Sequence, residues 1–168
     1  MRDIFAALDA AGVAHRTLHH PPVFTVAESD RIRHLMPGLH CKNLFLSPAR
    51  GEGPHFLATL KEDRQISINA LARAAGWPRV RLADAETLRA VLGVEPGSVT
   101  PLALINAAPG AVRFVLDAAI AEGDQPLWSH PLRNDASTAI LPRELRRFLE
   151  GLGHRVQVLD LESLARRC

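Results

Sequence analysis

The chain has 168 residues, 47% of them hydrophobic, and a formal net charge of +2. That length suits one compact domain spanning residues 1–168, with ample apolar material for a core. The small net charge, the absence of tyrosine and an aromatic fraction of 5% argue against a duplex-DNA footprint or a surface of stacked bases, so DNA is not an expected partner.

Residues 2–12 place Ile4, Phe5, Leu8 and Ala11 at helical spacing, with Gly12 as the stop. Asp3 and Asp9 interrupt this segment, so it reads as a helix rather than a signal peptide. "VAHRTLHH" follows as a short strand closed by Pro21-Pro22. Thr25 and Glu28 then have the spacing of a capping box for a helix running to about Leu35, where Pro37-Gly38 ends it. "CKNLFLS" and "HFLATLK" are two apolar runs joined by the glycine-containing "PARGEGP", the pattern of a hairpin.

Helices are expected over 67–76, with Ser67 as cap and Gly76 as stop, and over 84–93, with "RVRLA" as a strand between them. The spacing predicts a strand near 102–106 after the turn "VEPGSVTP", and another over 112–120. "PLWSHPL" and "STAIL" are short strands, 142–153 is a helix opened by Pro142, and "RVQVLDL" alternates like a strand. Interspersed helices and strands with several hairpins and no repeat point to an α+β fold. Its sheet is expected to be mixed, largely antiparallel and barrel-like, flanked by helices.

No apolar run approaches the roughly 20 residues that span a bilayer, so no membrane partner is expected. Cys41 and Cys168 cannot build a disulfide framework and lack CxxC spacing, which fits a soluble protein of the reducing cytoplasm. His15, His19 and His20 lie close in sequence but without matched carboxylate or HExxH spacing. They read as strand surface rather than as metal ligands, and no metal or cofactor is expected. Ser98 sits in "GSVTP", which is not a GxSxG elbow. Cys41 adjoins Lys42, but neighbours on a strand point to opposite faces, so a packing role suits it better than a nucleophile's.

Lys42 is unusual. It is one of two lysines against eighteen arginines, and it opens an apolar strand. A lysine there either snorkels to the surface or meets an anionic group in a cleft.

The ordered set "HPPVFT" (20–25), "PGLHCKNLFL" (37–46), "LGVEPGSVTPLALIN" (92–106), "HPL" (130–132) and the "GH" before the last strand resembles the YbaK/prolyl-tRNA-synthetase-associated editing domains. The likeness runs from about residue 2 to residue 161 and is strongest to the free-standing branch that deacylates alanyl-tRNA(Pro). It implies a barrel-like mixed sheet flanked by helices, and hydrolysis of the ester joining a wrong amino acid to a tRNA 3′ end. It also implies the acceptor end of a mischarged tRNA as partner, with prolyl-tRNA synthetase as a further one. Cys-tRNA(Pro), Ser-tRNA or a non-catalytic tRNA- or synthetase-binding role are the alternatives.

Carried over, the family's lysine is Lys42 with Asn43 beside it, its GxxxP loop is Gly97 to Pro101, and its HP element is His130-Pro131. Cys41 stands where the family often has Thr, and Ala107 where it often has Asp. An activated ester needs a held substrate, a positioned water and oxyanion stabilisation rather than a strong nucleophile. Lys42, Asn43, Gly97 and His130 are therefore the candidate catalytic residues. Ser98, Val99, Thr100 and Pro101 would touch substrate, and Ile32, Leu46 and Leu104 are assigned to the pocket wall. Lys42 would face either the terminal phosphate or the oxyanion.

Overall fold

A computed structural model of the chain describes residues 3–22 and 26–165. Cys168 and Thr25, one half of the expected capping box, lie outside them. The strands are β1 (Arg16–His19), β2 (Leu39–Pro48), β3 (His55–Lys61), β4 (Val80–Leu82), β5 (Val112–Asp117), β6 (Leu127–Ser129), β7 (Ala136–Ile140) and β8 (Val156–Leu159). The helices are α1 (Ile4–Ala10), α2 (Val26–Ile32), α3 (Ile68–Ala75), α4 (Ala85–Leu92), α5 (Ala118–Ala121), α6 (Pro142–Gly151) and α7 (Glu162–Ala165). Two 3-10 turns cover Arg33–Leu35 and Pro101–Asn106.

The strands form one sheet in the order β1-β7-β6-β2-β3-β5-β8, with β4 also on β2. Its pairings are mixed. β1–β7, β6–β7, β2–β3 and β2–β4 are antiparallel, whereas β2–β6, β3–β5 and β5–β8 are parallel. The expected α+β class, with a mixed and mostly antiparallel sheet between helices, holds.

Strand alternation separates two cores. Phe45, Leu57, Phe114 and Leu116 face one side and pack with Ile4, Leu8, Leu92, Leu102 and Phe148. Leu46, Phe56, Ala58, Leu60 and Val115 face the other and pack with Leu71 and Trp77. A small third cluster joins Met36, Trp128 and Ala139, with Leu18 and Ile32 beside it.

The helix ends follow their local chemistry. The carboxylates of Asp3 and Asp84 and the hydroxyl of Ser67 accept from backbone N–H groups at the starts of α1, α4 and α3. Gly76 and Gly93 stop α3 and α4 in the left-handed conformation.

Two expected strands differ. Residues 101–106 form a 3-10 turn because Thr100 Oγ1 accepts from Leu102 N–H and Pro101 starts the turn; an apolar run buried all round carries no period that separates helix from strand. The 112–120 run is a strand only to Asp117, whose carboxylate accepts from Ala119 N–H and starts α5.

Candidate functional site

β2 is the axis of the site because its two edges are treated differently. One edge pairs with β3 from Cys41 to Leu46. On the other, β6 reaches only Leu39 and His40, and β4 only Leu46–Pro48; Ala83 N–H, just after β4, donates to Phe45 O at 3.0 Å. Between β6 and β4, Cys41 to Leu44 therefore have no strand neighbour on that edge among the described residues. Backbone left open inside a sheet is a ready place for another chain or a ligand to dock.

The Gly97–Pro101 loop approaches this gap. Glu95 to Ser98 make a turn closed by Ser98 N–H to Glu95 O at 3.0 Å. Pro96 sits at its second position, and Gly97 supplies the positive φ of 92° at its third. Ser98, Thr100 and Pro101 are buried and Gly97 is exposed. The loop is tied to β2 by Asn43, whose Nδ2 donates to Val99 O at 3.2 Å. Asn43 Oδ1 accepts from the hydroxyl of fully buried Thr59 at 2.6 Å. Those two partners fix the amide's orientation, since a carbonyl only accepts and Thr59 supplies its proton. They leave one lone pair on Oδ1.

Cys41 shares that face. Its thiol contacts Trp128 O at 3.6 Å and Asn43 Nδ2 at 3.7 Å, and burial pushes its pKa up to about 11. A thiol so placed is a packing group.

Lys42 faces the other way, with Leu44 and Leu46, toward the core under α3. Its Nζ donates to the carbonyl of Arg64 and borders a cavity of about 550 Å³ lined by Glu62 to Ser67. That connection is anchored from inside. Arg64 is 6% exposed and Asp117 is 0% exposed. The guanidinium meets the Asp117 carboxylate with two bonds of 3.0 and 3.2 Å, and also reaches Glu162. Asp117 Oδ2 accepts from Lys61 N–H as well, at 3.0 Å. The carboxylates hold the guanidinium charged, well above its ordinary pKa.

His130 lies between β6 and β7. Its Nδ1–H donates to Ala136 O at 3.0 Å, which leaves Nε2 as an acceptor while the ring is neutral. Burial lowers its pKa, and nearby His20 adds to that effect. The His20 ring is 6.4 Å away and is held by Pro21 O and Ser137 Oγ, each at 2.8 Å.

Ser98 and Pro131 line one cavity of about 560 Å³ together with Asp3, Phe5 and Leu132. Leu132 has a positive φ of 71°, a conformation bulky residues adopt only under constraint.

The structure thus joins Asn43 to Val99, and Ser98 to Pro131. Among the described residues no hydrogen bond ties Lys42 or His130 to the Gly97–Pro101 loop. Ile32, Leu46 and Leu104 belong to three different clusters. Sequence reasoning missed Thr59, Arg64, Asp117 and Leu132. Thr59 and Asp117 carried a signal, each being a polar residue inside or ending an apolar strand run, where burial demands a partner. His154, of the "GH" pair, is buried and its Nε2–H donates to Leu104 O at 2.7 Å, so it braces the 3-10 turn that follows the loop.

The model of the aminoacyl-tRNA editing domain matches residues 20–148, which include β2, the loop and His130. The chain belongs to the aminoacyl-tRNA editing domain family. Among its relatives is the prolyl-tRNA synthetase associated domain-containing protein 1 of Bos taurus, 37% identical over 93% of this chain and 92% of that protein. The prolyl-tRNA editing protein ProX of Acetoanaerobium sticklandii is 25% identical over 94% and 95%. A solved structure proposed to be a trans-editing enzyme for prolyl-tRNA synthetase shares the fold. It superposes with a TM-score of 0.71 at 22% identity, covering 95% of this chain and 94% of that one. Membership supports a trans-editing role on aminoacyl-tRNA for this chain.

Proposed function

We propose that the protein is a trans-acting aminoacyl-tRNA deacylase that hydrolyses alanyl-tRNA(Pro). The observation that carries this reading is the open edge of β2, with Asn43 beside it binding the Gly97–Pro101 loop, in a chain of the editing family. Kinship with proteins named for prolyl-tRNA synthetase and prolyl-tRNA editing supports tRNA(Pro).

In this reading the aminoacyl ester lies at the open edge, beside Asn43 and the loop it holds. A water oxygen attacks the ester carbonyl carbon, the carbon–O3′ bond breaks, and the water's proton passes to the departing O3′. The products are the free amino acid and a tRNA 3′ end. The 2′-hydroxyl of the terminal ribose relays that proton, in keeping with a site without a Ser-His-Asp arrangement. The free lone pair of Asn43 Oδ1 orients the water or hydroxyl. His130, neutral above its lowered pKa, is an orienting acceptor through Nε2.

Lys42 faces the cavity beside α3, opposite Asn43 and the loop, so its anionic partner is the terminal phosphate rather than the oxyanion. Its ammonium has three donors and the Arg64 carbonyl takes one. A wall that admits Ala and excludes Pro sterically gives specificity, because one methylene of extra pocket discriminates by only about 1–3 kcal/mol. The tRNA substrate would be met in the cytoplasm.

The test is deacylation of labelled alanyl-tRNA(Pro), with Cys-tRNA(Pro) and Ser-tRNA alongside, by wild type and Lys42→Ala. Loss of one charged hydrogen bond, about 1.5–3 kcal/mol, predicts a tenfold to hundredfold fall in kcat/KM. A phosphate contact puts that fall in KM, and an oxyanion contact puts it in kcat. Equal kcat/KM for the two proteins would remove Lys42 from the site. Binding without turnover on every mischarged tRNA would make this a non-catalytic tRNA- or synthetase-binding module.

A further inference from the structure

Some of the described arginines hold carboxylates and others do not, and four of the latter lie close together. Arg33, Arg64, Arg89, Arg133, Arg146 and Arg147 each hold a carboxylate. Arg73, Arg79, Arg113 and Arg155 are exposed, and among the described residues none has an ion pair or a side-chain hydrogen bond. These four are neighbours. Arg113 and Arg155 line a cavity of about 570 Å³ at the starts of β5 and β8. Arg73 and Arg79 line a second, of about 260 Å³, at the end of α3. Trp77 is common to both cavities, and no acidic side chain lines either. In a chain of net charge +2, four unpaired guanidinium groups around one buried indole are a local concentration of positive charge that the total conceals.

Their position relative to Lys42 gives them a use. Leu71 of α3 and Trp77, just after it, pack on the same side of the sheet as Leu44 and Leu46, the side that Lys42 faces. The Lys42 cavity reaches Ser67, at the start of α3; of the arginine cavities, one runs along α3 from Asn69 to Arg73 and on to Arg79, and the other starts at Ala75, at the helix end. The helix between has eight residues, about 12 Å at 1.5 Å each, the rise of three to four base steps. Asn69 and Arg73 are exposed along it.

We propose that Arg73, Arg79, Arg113 and Arg155 form a docking surface for the phosphate backbone of an RNA duplex, the acceptor stem of the tRNA whose 3′ end lies at Lys42. This rests on the deacylase reading. Guanidinium groups suit the role because their fork geometry matches phosphate oxygens.

The test uses the full-length protein and two probes. One is an uncharged acceptor-stem minihelix of tRNA(Pro), and the other is the same RNA charged with alanine. The Arg113→Gln/Arg155→Gln variant is compared with wild type and with Arg146→Gln, which removes a paired surface arginine. For a duplex, each phosphate contact contributes about 0.9 to the slope of log K against log salt. Loss of two should therefore flatten the slope by about 2 and weaken binding about tenfold or more at 0.1 M salt. KM for the charged minihelix should rise while kcat stays unchanged, and Arg113→Lys should retain the slope.

A double variant with the affinity and salt slope of Arg146→Gln overturns the proposal. So does a defect confined to synthetase-bound tRNA with free RNA bound normally, because that assigns the surface to a protein partner. Failure of wild type to hydrolyse any charged RNA would sink the deacylase reading, whereas the uncharged minihelix still decides the surface.

Discussion

Asp117→Asn tests the idea that the Lys42 side of the site is held from inside the protein. The Asp117 carboxylate has no exposure and accepts from Arg64 twice, from Lys61 N–H and from Ala119 N–H. An amide in its place has one acceptor oxygen, and turns an NH2 group toward donors that have lost their acceptor. The guanidinium of Arg64 is then left buried, with Glu162 as its remaining carboxylate. Breaking one partner of a buried ion pair costs about 3–5 kcal/mol, a large share of the 5–15 kcal/mol typical of a folded domain. At a urea m-value near 2 kcal/mol/M, the midpoint should fall by roughly 1.5–2.5 M. Adding Arg64→Met removes the orphaned charge, so the double variant should recover about 1 kcal/mol or more relative to the sum of the singles. The same disturbance moves the Arg64 carbonyl to which Lys42 donates, so Asp117→Asn should also raise KM at a temperature where it is fully folded. A midpoint within about 0.5 M of wild type, with additive singles, would refute the reasoning by showing that water solvates the pair.

Gly97→Ala places a Cβ at a φ of 92°, which costs about 1–2 kcal/mol. The expected readouts are a Tm lower by about 2–8 °C and a reduced kcat/KM, because the turn sets Val99 O against Asn43; an unchanged Tm would mean that the turn is not formed. Cys41, with its thiol pushed up to about 11, should be alkylated by iodoacetamide at about pH 8 at least a hundredfold more slowly in the native than in the urea-unfolded protein. Peptide mapping separates it from Cys168, and equal rates would contradict the packing role. Burial holds His130 below its ordinary pKa, so the unfolded chain takes up its proton first as pH falls. The stability this gives is present above about pH 6.5 and is lost as pH drops toward the folded value. His130→Gln should therefore narrow the Tm difference between about pH 7.5 and pH 5.5. His55, also lowered by burial, leaves part of that difference in place, and an unaltered difference would show that His130 is solvated.

Much of the fold was legible because its signals are local. Ser67 and Gly76 bracket α3 as their chemistry requires, and the long hairpin between "CKNLFLS" and "HFLATLK" follows from two apolar runs around glycines. The 102–106 segment was misread because Leu102, Ala103, Leu104 and Ile105 are all buried. Where every side chain is inside, period disappears, and only Thr100 and Pro101 mark the start of a helical turn. Parallel pairings such as β3 with β5 join positions 57 residues apart, His55 with Val112 for example, and have no local signature. At the site, strand alternation already sends Lys42 and the adjacent Asn43 to opposite sides, but it does not say what each side meets. The Arg64–Asp117 pair spans 53 positions, and nothing in the local sequence announces it.

That opposition sharpens what β2 does. A strand paired along both edges would show a ligand only its faces. In the proposed reading, with Cys41 to Leu44 left without a strand neighbour between β6 and β4 among the described residues, a substrate wrapping this edge meets both sides of one strand. On one side Asn43, fixed by Thr59 and Val99 O, offers neutral hydrogen bonding suited to an ester and a water. On the other Lys42, set against a loop that Arg64 and Asp117 pin from beneath, offers the charge a phosphate requires. In the deacylase reading, an aminoacylated 3′ end that wraps this edge meets both kinds of contact, and the dipeptide supplies them only because its residues diverge.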